Sequence, residues 1–195
     1  MHPTDSIQHL RDLSSYLWAV LGVVWLIAAF RTKRSIRRQS APSRLIQIGL
    51  LAAGAYLLFA RDTGIGWLDR PAIPVTVSLA ALGFALIGFG VGFSIWARLT
   101  LGTNWSGTIT LKQDHALIRR GPYRMVRHPI YTGILAALMG SALERGLRSS
   151  LIALPLCGLG FWLKIVTEEQ FMGQHFGESY LQYKQQVKAL VPFLF

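Results

Sequence analysis

Cysteine is almost missing from this sequence, and acidic residues are scarce. The single thiol, Cys157, leaves no partner for an internal disulfide and no sulfur cage for a metal. Its place inside an apolar run reads as a small buried side chain. The five histidines are scattered and no GxSxG elbow occurs, so neither a metal-ligand set nor a serine hydrolase is indicated. Nine Asp and Glu stand against twenty Lys and Arg, and charged residues reach only 15%, against roughly a quarter in soluble domains. The start of the chain lacks a basic leader (it carries Asp5, Asp12, His2 and His9), and no clear cleavage site follows the first apolar run. This predicts a retained span rather than a cleaved signal. Internal repeats and low-complexity tracts are absent.

What is abundant is apolar length. Hydrophobic residues make up 52% of the 195, with a mean hydropathy of +0.39. Runs at 13–30, 45–60, 73–97 and 149–166 each approach the ~20 residues that cross a bilayer core. A shorter run at 130–143 follows Pro129, which a helix tolerates in its first turn. The expected fold is an all-α integral membrane protein of about five transmembrane helices with a cytoplasmic C-terminal region. Residues 1–97 would supply three spans, and 98–195 two further spans, a loop and C-terminal helices. Gly83, Gly88, Gly90 and Gly92 punctuate the third run. No strand precedes them, so close helix packing is expected rather than a phosphate loop.

The charge of +11 is uneven. Arg31, Lys33, Arg34, Arg37, Arg38 and Arg44 crowd the first loop without an acid, the second loop is neutral by count, and the third is basic again. This alternation predicts an N-terminus outside and a C-terminal segment in the cytoplasm. Basic residues divided among membrane loops read as topology and attraction to anionic lipid. A nucleic-acid face would gather them on one soluble surface.

Chemistry concentrates in the second half. The polar segment between the third and fourth runs holds turn formers and one alternating piece, 108–111, and is longer than the ~12–15 residues of a featureless connection. It ends in RRGPYRMVRHPIYTG at 119–133, where four arginines, His128, Tyr123 and Tyr131 meet the foot of an apolar helix. Such a density of polar groups serves no packing need and marks a place at the water interface where a charged small molecule can be held. Lys164, four residues before Glu168, shares a helix face with it, and Glu169 follows. Ionisable groups at the end of a membrane helix commonly line a functional cavity. His115, the His128–Tyr131 pair and the Lys164–Glu168–Glu169 set are the candidate groups. They suit a zwitterionic cofactor with an adenine ring and a lipid-like second substrate arriving from the bilayer.

In order, LGTNWS, HALI, GPY, RHPIYTG, KIVTEE, FGESYLQY and a late Pro192 resemble the isoprenylcysteine carboxyl methyltransferase family and, more broadly, the phospholipid methyltransferase group. The likeness covers about half the chain, roughly 101–192. It implies a membrane methyltransferase that binds S-adenosylmethionine under a lid formed by the last helices. Carried over by position, the cofactor-binding residues would be His115, Ala116, Leu117, Ile118, Tyr123, His128, Pro129, Ile130, Tyr131 and Glu168. The chain departs from the family at Lys164, where arginine is usual. A bidentate fork is thereby replaced by a point charge.

The expected reaction is in-line displacement at the sulfonium methyl, with positioning and desolvation as the protein's contribution. Lys164 would bind and steer an anionic acceptor, which ranks carboxyl methylation of an isoprenylcysteine-like or other lipophilic substrate first. Glu169 would take the proton of an amine acceptor in the N-methyltransferase alternative. An NADPH-dependent sterol-type reductase shares a GxY…RHPxYxG ending but needs more helices around a rigid ring system. A non-enzymatic membrane scaffold is the third class. The partners expected are the lipophilic substrate and membrane lipids, with no nucleic acid and no metal.

Overall fold

The computed structural model describes residues 2–29, 35–38, 40–102, 110–112 and 117–192, the stretches at 35–38 and 110–112 by their backbone. Six helices account for most of them: α1 (Pro3–Ala29), α2 (Ala41–Phe59), α3 (Val77–Leu101), α4 (Pro129–Arg145), α5 (Arg148–Phe176) and α6 (Glu178–Gln186). Four of these, α1, α2, α3 and α5, are long and apolar enough to cross a membrane. The run at 130–143, expected as a short span, falls within α4, whose 17 residues extend about 26 Å at 1.5 Å per residue. Its only exposed residue is Met139. The outer helices instead turn large apolar side chains outward, such as Leu26 and Ile27 on α1 and Phe89 on α3, as lipid-facing surfaces do.

The centre of the bundle is an antiparallel seam between α3 and α4, made by glycines seven residues apart on each helix. A Cβ built on Gly90 would lie 2.3 Å from the Gly133 carbonyl oxygen, and one on Gly140 would lie 2.4 Å from that of Gly83. No side chain fits there, so backbones meet directly, as small residues allow in lipid. Of the four glycines expected to serve packing on α3, Gly83 and Gly90 do so. Gly88 and Gly92 have open space or ordinary contact around them. At the far end, α4 stops at Gly146 with φ +65°, and the chain there accepts hydrogen bonds from the backbones of Ala72 and Ile73.

The second pairing joins α2 to α5, with Gly54 against Cys157 and Gly160 against Leu51. Cys157 is buried in this seam, in keeping with its reading as a small packing residue. Helix α1 leans on α3 through Leu21, Ile87 and Val91. Ser14 of α1 donates to Glu144 Oε1 at 2.7 Å, and Trp18 donates to Ser141 at 3.0 Å.

Among the described residues, the chain departs from all-α in one respect. β1 (Ser35–Arg38) pairs antiparallel with β2 (Thr110–Lys112), with Arg37 opposite Leu111 and Arg38 opposite Thr110. The alternating piece at 108–111 overlaps β2. Its partner is in the basic first loop, which carries no alternation of its own. Strand pairing depends on a backbone from elsewhere in the chain, and periodicity within one segment does not announce it.

Candidate active site

The site forms where the start of α4 meets the last turns of α5 and helix α6. A single 3₁₀ turn, Gly121–Arg124, buries Tyr123 and leads into residues 126–128. Those residues lie beside the segment after α6: the backbone N–H of Arg127 donates to Lys188 O at 2.8 Å, and that of His128 to Ala189 O at 3.0 Å. The Arg127 guanidinium also donates to the carbonyls of Lys184 and Val187. Thr132 Oγ1 donates to Leu190 O at 2.7 Å, and the Tyr183 hydroxyl to Tyr123 O at 2.6 Å. Residues 183–190 are thus strapped across 123–132.

Glu168 and Glu169 are successive residues of α5, so they project about 100° apart around the helix and meet different neighbours. Glu168 accepts from the Tyr131 hydroxyl at 2.5 Å and lies 3.5 Å from His128 Nδ1. Glu169 is held by Arg127, whose Nε and Nη2 both reach Oε1 (2.9 and 2.6 Å), and by Lys184 Nζ at 2.7 Å from Oε2. His128 Nε2 lies 3.3 Å from the same Oε1. The imidazole therefore bridges the two carboxylates while its face stacks on Tyr131, 5.7 Å away and nearly parallel. Tyr131 also meets Phe161, and Lys164 Nζ sits 5.2 Å from the Tyr131 ring centroid.

Electrostatics follow from this placement. Burial by itself would depress the basicity of His128. Hydrogen bonds to Glu168 and Glu169, and their charges, outweigh it and hold the imidazole above its ordinary value. Burial and the nearby Glu168 charge push the Tyr123 hydroxyl well above its ordinary range. Tyr183 is pushed up to about 12 by burial, against the opposing pull of Arg127 and Arg119.

Among the residues singled out in the sequence, the structure brings together His128, Tyr131, Lys164, Glu168 and Glu169. Tyr123 and Ile130 belong to the same buried cluster as Tyr131, and Ile118 packs against it. Pro129 opens α4. The Ile130 carbonyl accepts from Ser94 at 3.1 Å and so faces α3. Leu117 is half-buried, and His115 and Ala116 lie outside the described residues. Sequence reasoning assigned no role to Arg127, Lys184 or Tyr183, which hold the site closed. The available signal was a string of basic and aromatic residues without a period, which does not say which cation meets which carboxylate.

A family profile described as phospholipid methyltransferase matches residues 79–179. The protein-S-isoprenylcysteine O-methyltransferase of Xenopus laevis is 28% identical over 181 residues, covering 87% of this chain and 59% of that protein. A probable protein-S-isoprenylcysteine O-methyltransferase of Oryza sativa subsp. indica is 29% identical over 172 residues, 87% of each chain. This chain is thus nearly as long as the rice relative but spans little more than half of the frog one. The solved structure of a eukaryotic intramembrane Ras methyltransferase, an isoprenylcysteine carboxyl methyltransferase, superposes with a TM-score of 0.50 at 21% identity, over 81% of this chain and 55% of that one. That likeness is one of fold. With the profile matching just over half its residues, and with these relatives, the chain belongs to the phospholipid methyltransferase family and resembles the isoprenylcysteine methyltransferases within it.

Proposed function

We propose that this protein is an S-adenosylmethionine-dependent methyltransferase of the membrane that esterifies the carboxylate of an isoprenylcysteine-like or other lipophilic acceptor. The observation that carries the reading is Glu168, a carboxylate gathered with a stacked imidazole–phenol pair at the foot of the bundle. Its acceptor capacity exceeds the bonds it makes to Tyr131 and His128, which suits the ammonium or ribose hydroxyls of such a cofactor. The aromatic faces of Tyr131 and Tyr123 suit a sulfonium by cation–π attraction. The bound cofactor supplies an electrophilic methyl group. Tyr123, His128 to Tyr131 and Glu168 would hold it, together with His115 to Ile118.

The protein's share of the chemistry is alignment. Lys164, beside Tyr131 and close enough for its charge to act on Glu168, would draw the acceptor carboxylate toward the reacting methyl. A carboxylate is already a nucleophile and needs no base. An amine acceptor does need one, and Glu169 is a poor choice while Arg127, Lys184 and His128 all stabilise its ionised form. This favours O- over N-methylation, with Glu169 positioning the strap.

The same reading extends to topology. Helix α4 lies antiparallel to α3 from the level of Ser94 to Gly146, which sits beside Ile73 and Val75. We take it as a fifth crossing. The N-terminus then lies outside and residues 178–192 in the cytoplasm, with 1–97 as scaffold and 98–195 as the methyl-transferring part.

Isothermal titration of S-adenosylhomocysteine into detergent-purified protein tests the cofactor assignment. Binding should be measurable in the parent protein and about tenfold to hundredfold weaker in Glu168→Gln, the loss expected for a hydrogen bond to a charged group. A folded protein that binds none refutes it.

A further inference from the structure

Beside the site, α5, α6 and the strap enclose a cleft of about 670 Å³ that is lined by Glu169 but by neither His128 nor Glu168, and for which the proposed function names no occupant. Its wall is apolar toward the bundle, with Trp162 and Val166 of α5 and Leu181 of α6, and cationic toward the strap, with Arg127, Lys184 and Lys188. Among the described residues, Glu169 is the one carboxylate lining it, and three cations against this one acid leave the cleft with an excess of two positive charges. Lys184 is half exposed at the rim and Lys188 is exposed.

The apolar wall continues up the outside of the bundle. Leu159, Trp162 and Val166 are 48%, 49% and 39% exposed. Their spacing of three and four residues puts them on one face of α5, above the cleft. A lipid whose chains lie along this stripe has its headgroup at the level of Lys184 and Lys188. Trp162 then sits at the boundary between chain and headgroup, where its amphipathic ring is at home.

We propose that the cleft is a binding site for an anionic phospholipid, whose phosphate pairs with Lys184 and Lys188 while an acyl chain follows Leu159, Trp162 and Val166. A zwitterionic lipid leaves the excess charge uncompensated, so the site discriminates by headgroup. The occupant is a resident lipid rather than the methyl acceptor because Glu169 lines the cleft whereas Glu168, Tyr131 and Lys164 do not. That distinction rests on the cofactor assignment above, whereas the preference for an anionic headgroup does not.

The full chain in nanodiscs, without cofactor, provides the test. Tryptophan quenching by phosphatidylglycerol brominated on its acyl chains is compared with quenching by equally brominated phosphatidylcholine. Phosphatidylglycerol should quench at lower mole fraction, and the difference should vanish in Trp162→Phe. Lys188→Glu should weaken the preference by about fivefold or more, the worth of one interfacial cation, and Lys188→Arg should retain it. Equal quenching by the two lipids in the parent protein overturns the proposal, leaving only annular lipid. Displacement of the brominated phosphatidylglycerol by a soluble prenylcysteine carboxylate also overturns it, by making the cleft the acceptor's. Failure of the homocysteine titration bears on the cofactor assignment alone, since the quenching is read in its absence.

Discussion

At the scale of single residues, His128 governs the site because each ring nitrogen faces a different carboxylate. Its raised pKa has a consequence for stability. The folded protein holds a proton that the unfolded chain releases near 6.5. The stabilisation is therefore complete below about pH 6.5 and is lost as pH rises through the higher folded-state value. The thermal midpoint in detergent should fall from about pH 6.5 upward, and that slope should flatten in His128→Gln. A parent profile with no decline across neutral pH contradicts the bridging role. The nearness of His128, Tyr131 and the glutamates was legible in the sequence, because a histidine at a helix start and acids at a helix end are local patterns. The clamp of Arg127 and Lys184 on Glu169 was not. It depends on the course of residues 187–190, which carry no periodic signal and are fixed by backbone bonds to 126–128.

At the scale of elements, the α3–α4 seam fixes where α4, and with it the site, stands. Gly90→Ala would force a methyl group against the Gly133 carbonyl, whereas the same change at Gly92 meets nothing within 4 Å. The first should destabilise by about 1–3 kcal/mol, the usual range for overpacking. The second should be neutral or slightly favourable, since alanine suits a helix better than glycine. Thermal unfolding of both variants in one detergent checks the contrast, and equal midpoints would refute the seam. The long helices were readable from apolar length alone, since lipid demands an unbroken hydrophobic run. Which glycines pack was not readable, because spacing names a stripe only when the partner helix is known. The β1–β2 ribbon was half readable, at the strand whose own residues alternate.

At the scale of the whole molecule, the proposed orientation has a direct test. The native thiol, Cys157, is buried. A single reporter cysteine can therefore be placed at Gly64, in the loop after α2, or at the exposed Lys188. An impermeant maleimide added to intact cells should label Gly64→Cys and spare Lys188→Cys, with the pattern reversed in inside-out vesicles. Labelling of both from one side contradicts five crossings. For α4 as the proposed fifth crossing, its central position has one more consequence. Its roughly 26 Å is a few ångströms short of a ~30 Å hydrocarbon core, yet with Met139 as its only exposed residue it has almost no boundary with lipid. Hydrophobic mismatch acts on helices that touch acyl chains, which tilt or draw the bilayer in to relieve it. In thick and thin bilayers alike, that adjustment falls to α1, α2, α3 and α5. The helix that carries His128 and Tyr131 at its start is insulated from the thickness of the membrane it stands in.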